Sequence, residues 1–241
     1  MIALLCSVQA EAELLLETIL HEKTISIGSK TMIEGSIQSR RVCLCVGGMG
    51  KVNAAHAATL LVQRNPEALV VFGIGGAYPA SGARVGDVAV ANTEIAGDEG
   101  VLTLEGFKDT EYIGIPLLKT SSSVIFTTYP APAALLHVAL QTLLSDRRDM
   151  PDVHVGAFVT LSTCTGTESR ARELEDRYHG LCENMEGAAA AQVAELHSLP
   201  WLEVRGISNL VENRDVRKWD IPAAARAAQQ AVLRILEGWS A

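Results

Sequence analysis

Four polar side chains stand in apolar surroundings in this chain: Glu11, Glu186, Arg205 and Asn209. Glu11 follows the apolar run Ile2–Cys6. Met185-Glu186-Gly187 opens an alanine-rich stretch. Arg205, Gly206, Ser208 and Asn209 close the apolar run that begins at Trp201. Two carboxylates, a guanidinium and an amide are groups that move protons and orient hydroxyls. An arginine on an apolar strand is rarely buried without a partner, and Glu11 and Glu186 are natural ones. A purely structural ion pair would use the same residues. Glu11 also suits a plain charge at a helix N-terminus, and Glu186 with Met185 suits a helix acid beside a core methionine.

These groups need a scaffold that brings distant segments together. Ile2–Cys6 reads as a central strand, and Ala10–Ile19, with leucines at helical spacing, as the first helix. Arg41–Val46 reads as a strand leading through Gly47-Gly48-Met49-Gly50 into the helix Lys51–Val62. Ala68–Phe72 reads as a buried strand ending in a Gly73-Ile74-Gly75-Gly76 loop. Gly86–Ile95 and Val153–Leu161 are strand-like. Ala133–Leu144, Glu168–Tyr178, Glu186–Leu196 and Ile221–Leu236 are helical, and a last strand starts at Trp201. Strands alternating with helices predict an α/β fold, a single-domain, three-layer αβα arrangement on a central mixed sheet spanning residues 1–241. The loops after Cys6, at Gly47–Gly50 and at Gly73–Gly76, with the end of the strand at Asn209, converge where open α/β sheets bind ligands. Neither glycine loop has the dinucleotide spacing or a P-loop Gly-Lys-Ser/Thr, and tight packing turns would use the same glycines.

Composition narrows the classes. The chain has 241 residues, 48% of them hydrophobic and 20% charged, enough for a sizeable core. Its 28 acidic against 20 basic residues argue against a nucleic-acid surface. The five cysteines read as reduced, buried thiols, and Cys43-Leu-Cys45 has no histidine near it to complete a metal site. No basic leader precedes the first apolar run, and no run reaches the ~20 residues of a membrane span, so a cytoplasmic protein is expected.

The segments Gly48-Met49-Gly50-Lys51-Val52, Val85-Gly86-Asp87-Val88, Met185-Glu186 and Arg205–Asn209 occur in the order found in the purine nucleoside phosphorylase/nucleosidase superfamily, which the chain resembles over nearly its whole length. The resemblance implies a nucleoside phosphorylase-like fold with a partly barrel-like mixed sheet. It also implies a small-molecule nucleoside substrate, no metal or cofactor, and a homo-oligomer, commonly a dimer. The reaction would be N-glycosidic cleavage through an oxocarbenium-like transition state. Glu11 would activate water, Met185 and Glu186 would hold the ribose, and Arg205 would help position the water. Ile74 replaces the family's small hydroxyl residue and, with Gly75, would lie against the sugar. Gly86 stands where the phosphorylases of one branch carry a phosphate-clamping arginine. Arg84 is the only local substitute, so water is the expected nucleophile.

The loop Leu161–Thr167 and the stretch Glu212–Asp220 resemble the futalosine hydrolase family within that superfamily. Thr163 and Cys164 would then contact the base, Ser208 would bind the substrate, and Trp219 would cover the sugar. Futalosine carries a carboxyphenyl ketone arm, which Arg214 or Arg217 would suit. Adenine-releasing relatives have an aspartate at Asn209. A 6-oxopurine presents an oxygen at its 6-position, so an asparagine can accept from protonated N7 and donate to that oxygen. The resemblance therefore implies hydrolysis of futalosine to hypoxanthine and dehypoxanthinyl futalosine, in menaquinone biosynthesis. Alternatives are a methylthioadenosine/S-adenosylhomocysteine or aminodeoxyfutalosine nucleosidase, a purine nucleoside phosphorylase, and a silent nucleoside-binding protein.

Overall fold

The computed structural model describes residues 1–121, 123–145 and 151–239. Its first half runs β1 (Ile2–Cys6), α1 (Glu13–Thr18), β2 (Leu20–Ile27), β3 (Lys30–Ile37), β4 (Arg40–Val46), α2 (Lys51–Val62), β5 (Ala68–Ala77), β6 (Val88–Ala96), β7 (Gly100–Thr103) and β8 (Gly106–Asp109). The remainder is α3 (Thr110–Ile113), β9 (Leu118–Lys119), β10 (Val124–Ile125), β11 (Thr128–Pro130), α4 (Ala133–Ser145), β12 (Val153–Thr160), α5 (Glu168–Tyr178), β13 (Gly180–Asn184), α6 (Gly187–Leu196), β14 (Trp201–Leu210) and α7 (Ile221–Gly238).

The main sheet has the order β11-β6-β12-β13-β5-β1-β4-β3-β2, and β14 pairs with both β5 and β6. This double pairing closes β5, β14, β6, β12 and β13 into a ring. Two pairings in the ring are antiparallel, β13 with β5 and β14 with β6; the others are parallel. The expected mixed, partly barrel-like sheet is therefore present.

Alternation along the strands divides the core between two helical layers. Ile2, Leu4, Val70 and Phe72 face a cluster with Leu15 of α1, Leu143 of α4 and Ile235 of α7. Ala3, Leu5, Leu69 and Val71 face the other side, with Leu61 of α2 and Ala194 of α6. Small residues let α2 and α6 lie close together: Ala54, Ala57 and Ala58 on one, Ala190, Ala191 and Ala194 on the other are buried. α7 begins as its sequence dictates, with Asp220 accepting from the Ala223 N–H at 2.9 Å and a proline in its first turn.

Three expectations need correction. Ala10–Ile19 is not one helix. A 3-10 turn, Gln9–Glu11, precedes α1, and the α1 amides of Leu14 and Leu15 donate to Gln229 Oε1 of α7 at 2.7 and 3.3 Å. Gly73–Gly76 is not a loop. It continues β5, because Gly73 and Gly75 pair with Arg205 and Ile207 of β14, and Gly76 pairs with Glu183 of β13. Arg205 consequently lies inside β14 rather than at its end.

Candidate active site

Glu11 sits just past β1, where the chain turns back on itself. Its Oε2 accepts from the Ser7 and Val8 N–H groups at 2.8 and 3.1 Å, and its Oε1 from the Ile74 N–H at 2.9 Å. The carboxylate is buried and fixed by backbone alone. This turn-back bonding is what separates the 3-10 turn from α1. Gly73 makes the approach possible: a Cβ there would stand 2.5 Å from Glu11 Oε1 and 2.9 Å from Arg205 Nη1.

Glu186 stands at the start of α6. Asn184 shapes this start, its Oδ1 accepting from the Glu186 and Gly187 N–H groups at 2.9 and 2.7 Å. One Glu186 oxygen accepts from the Gly50 N–H at 2.8 Å and the other from Arg205 Nη2 at 3.3 Å. Gly50, at the entrance to α2, thus contributes an amide rather than only a tight turn. Lys51 is not a free surface charge; it is paired with Asp98 and with Glu99.

Arg205 is buried, and each of its three nitrogens has a partner. Its Nε donates to Glu203 Oε1 at 2.7 Å, its Nη1 to the Ile74 carbonyl at 3.1 Å, and its Nη2 to Glu186. Burial opposes its charge, but Glu203, Glu186 and Glu11 outweigh that and hold its pKa above the usual arginine value. Of the two partners expected for it, Glu186 is in direct contact; Glu203, on the same face of β14, is the second.

Asn209 is held by its neighbours. The Ser208 hydroxyl donates to its Oδ1 at 2.8 Å, and its Nδ2 donates to the Leu210 carbonyl at 2.9 Å. An amide carries two donors and two acceptor lone pairs, so one of each remains for a ligand.

One cavity collects these groups. Glu11, Ile74, Gly75, Cys164, Met185, Glu186, Arg205, Ser208, Asn209 and Trp219 all line it. Thr163 does not. It is exposed, and the next residues, Cys164 and Thr165, line the cavity instead. The reason is Glu183, which accepts from the Thr165 N–H at 2.8 Å and from the Tyr78 hydroxyl at 3.2 Å, pinning the loop at Thr165. Burial raises the Glu183 pKa, and hydrogen bonds from Thr165 and Tyr78 work against that rise. Cys164 Sγ lies 3.4 Å from Met185 Sδ. Cys164 is itself exposed, so of the five cysteines expected to be buried only the other four are.

At the rim, the Arg214 guanidinium lies over the Trp219 ring, 4.5 Å from its centroid. Arg217 and Lys218 on the same turn are each paired with an acid, Asp215 and Glu212. Arg214 has no acidic partner among the described residues, and of Arg214 and Arg217 it alone lines the cavity. Arg84 is exposed and, like Gly86, is not part of the lining. Each nitrogen of Arg205 already has a protein partner, and among the described residues lining the cavity the only other cation is Arg214 at the rim, so no cluster of cations stands at the inner end to clamp a phosphate.

The profile of the family described as Phosphorylase superfamily matches residues 1–237. The chain belongs to the phosphorylase superfamily. Within it, the chain is 34% identical over 206 residues to the futalosine hydrolase of Streptomyces coelicolor, covering 81% of this chain and 80% of that one. It is 25% identical over 218 residues to the 5′-methylthioadenosine/S-adenosylhomocysteine nucleosidase of Mycobacterium tuberculosis, covering 87% and 85%. Among solved structures, the Neisseria meningitidis nucleosidase of the latter kind, in complex with methylthio-immucillin-A, superposes with a TM-score of 0.85 at 20% identity, covering 99% of both chains. That superposition supports the shared superfamily fold.

Sequence reasoning missed Asn184, which lines the cavity, and Glu203 and Glu94 behind it, and within the expected loop Leu161–Thr167 it named Thr163 where Thr165 lines the cavity. Asn184 carried a signal, an N-cap residue type just before an alanine-rich helix. Glu203 carried another, an acid inside the apolar run Trp201–Val204. Glu94 carried none. Among the described residues no helix is long and apolar enough to cross a membrane, and no group of His, Cys, Asp and Glu is placed to hold a metal.

Proposed function

We propose that this protein hydrolyses the N-glycosidic bond of futalosine, releasing hypoxanthine and dehypoxanthinyl futalosine in menaquinone biosynthesis. The carrying observation is one cavity that holds two carboxylates, Glu11 and Glu186, together with Asn209. Glu11 accepts the proton of the attacking water. Glu186 accepts from the vicinal ribose hydroxyls, and Met185 and Ile74 pack against the sugar. Arg205 holds Glu186 in place and offsets part of its charge. The amide of Asn209 is not a general acid, so solvent water supplies the proton to N7 of the leaving purine; Asn209 accepts from that N7–H with its remaining lone pair and donates its remaining N–H to the 6-oxygen. The 34% identity to a futalosine hydrolase supports this reading over an adenine-releasing nucleosidase. All of this takes place in one domain. We assign the protein to the cytoplasm, and as a homodimer, the latter supported by the exposed apolar Met49 and Val52 near the cavity.

The test is incubation with futalosine, with inosine and with methylthioadenosine, each with and without phosphate. Hypoxanthine release from futalosine at an unchanged rate in phosphate-free buffer is expected. Strict phosphate dependence, with a sugar 1-phosphate as product, would make the protein a phosphorylase. Preferential adenine release would transfer it to the methylthioadenosine branch.

A further inference from the structure

Beneath Arg205 lie two carboxyls that none of the steps above uses. Glu203 on β14 and Glu94 on β6 are both fully buried. Glu94 accepts from the Thr160 hydroxyl at 2.7 Å on one oxygen and from Asn184 Nδ2 at 2.8 Å on the other. Glu203 gives one oxygen to Arg205 Nε, and its other oxygen, Oε2, has no hydrogen-bond partner among the described residues. That oxygen faces Glu94. A Cβ on Gly187 would stand 2.2 Å from Glu203 Oε2 and 2.2 Å from Glu94 Oε1, so both oxygens border the small space this glycine leaves and lie no more than about 4.4 Å apart.

Two ionised carboxylates have only acceptors to offer each other. A proton on either one turns the contact into a hydrogen bond and satisfies the orphaned oxygen. Burying two like charges side by side without it is strongly unfavourable. We propose that Glu203 and Glu94 share one proton, and that this pair is the anchor that orients Arg205 and, through it, Glu186. The surrounding charges fit. Arg205, Glu186 and Glu11 lie on the site side, and the Cys182 thiol on β13 is kept protonated, first by its burial. Burial and the neighbouring Glu203 both push the Glu94 pKa well above the usual carboxyl range. With one shared proton the pair carries a single negative charge, which balances Arg205 and leaves the Glu186 charge to face the ribose. Loss of that proton at high pH would place a second charge against Arg205 and loosen its hold on Glu186. Both are positioning residues, since neither lines the cavity.

The orientation of the bonds selects the informative variants. In Glu203→Gln, the amide oxygen can accept from Arg205 Nε and the NH₂ can donate to Glu94, reproducing the pair with a proton that cannot leave. Glu203→Leu has neither group. The kinetic arm rests on the nucleosidase reading; an infrared arm does not. In infrared difference spectra at neutral pH, wild type minus Glu203→Gln and wild type minus Glu94→Gln should each show the C=O stretch of a protonated carboxyl. In kinetics, kcat/KM of the wild type should fall at alkaline pH. Glu203→Gln should lose less than ~10-fold and flatten that fall, whereas Glu203→Leu should lose up to ~100-fold, the range of couplings within one hydrogen-bonded network. Absence of the carboxyl band from both difference spectra would overturn the proposal whatever the activity. So would a Glu203→Gln enzyme as impaired as Glu203→Leu, or one with the alkaline fall unchanged. If Glu203→Leu fails to fold, the spectra and the Glu203→Gln profile still decide.

Discussion

Glu11→Gln separates proton acceptance from everything else this side chain does. The Glu11 carboxylate receives backbone N–H bonds from Ser7 and Val8 on one oxygen and from Ile74 on the other. A glutamine keeps one acceptor oxygen and gains two donors. If its oxygen serves Ser7 and Val8, its NH₂ must face the Ile74 N–H, donor against donor. One bond to a charged acceptor is lost, a cost of about 1.5–3 kcal/mol. For a chain of this size each kcal/mol shifts Tm by roughly 2–4 °C, so a fall of about 3–12 °C is expected. The protein should remain folded at assay temperature. Turnover should fall by about 10²–10⁴, the scale of general acid–base catalysis, which is ~3–5 kcal/mol on the barrier. Binding should change by no more than a few-fold, because Met185, Glu186 and Asn209 are untouched. The assay is the initial rate of purine release and the dissociation constant for the substrate, with thermal unfolding on the same preparation. Near-normal turnover in a folded Glu11→Gln protein would remove Glu11 from the mechanism. A loss carried entirely by weaker binding would make it an anchor and leave the base to be found elsewhere.

Two further outcomes follow from the same geometry. Asn209→Asp removes the NH₂ that donates to a 6-oxygen, so preference should shift towards a 6-aminopurine leaving group; a site built on such a bond can discriminate by up to ~10⁴–10⁵, and at least tenfold is expected here. Competition between futalosine and its 6-amino analogue measures it, and an unchanged ratio would show that Asn209 does not read the base. Arg214→Gln should raise KM for futalosine by ~3–10-fold, as loss of a rim charge contact of about 1 kcal/mol would, with little change for inosine, which lacks the carboxylate arm. An equal shift for both substrates would tie Arg214 to the purine or the fold rather than to the arm.

Much of the scaffold was legible because burial writes itself into spacing. Ile2–Cys6 is buried at every position, and α2 and α5 begin and end where helical periodicity places them. The β2 strand was not legible: its residues are mostly exposed, so no apolar alternation marks it. Gly73–Gly76 misled for the opposite reason. Glycine is a turn signal in isolation, but here it leaves room inside a strand: a Cβ on Gly73 would stand 2.5 Å from Glu11 Oε1 and 2.9 Å from Arg205 Nη1.

The candidate site divides in the same way. Residue types and positions along their own elements were enough to pick out Glu11, Glu186, Arg205 and Asn209, and all four line one cavity. Which acid meets Arg205 was not fixed by those positions. Glu203 reaches it from two residues away because both side chains point to the same side of a strand. Glu94 comes within reach of Glu203 only because β14 pairs with β6 to close the ring, bringing together residues more than a hundred positions apart in the chain. Thr165 replaces Thr163 because Glu183, on a strand later in sequence, chooses the hydroxyl that turns inward. The groups that face the ligand are thus set by local sequence, whereas the groups that hold them are set by ring closure. Substitutions in that second layer should therefore act on catalysis through geometry and pH dependence, with substrate selectivity left to Asn209 and the rim.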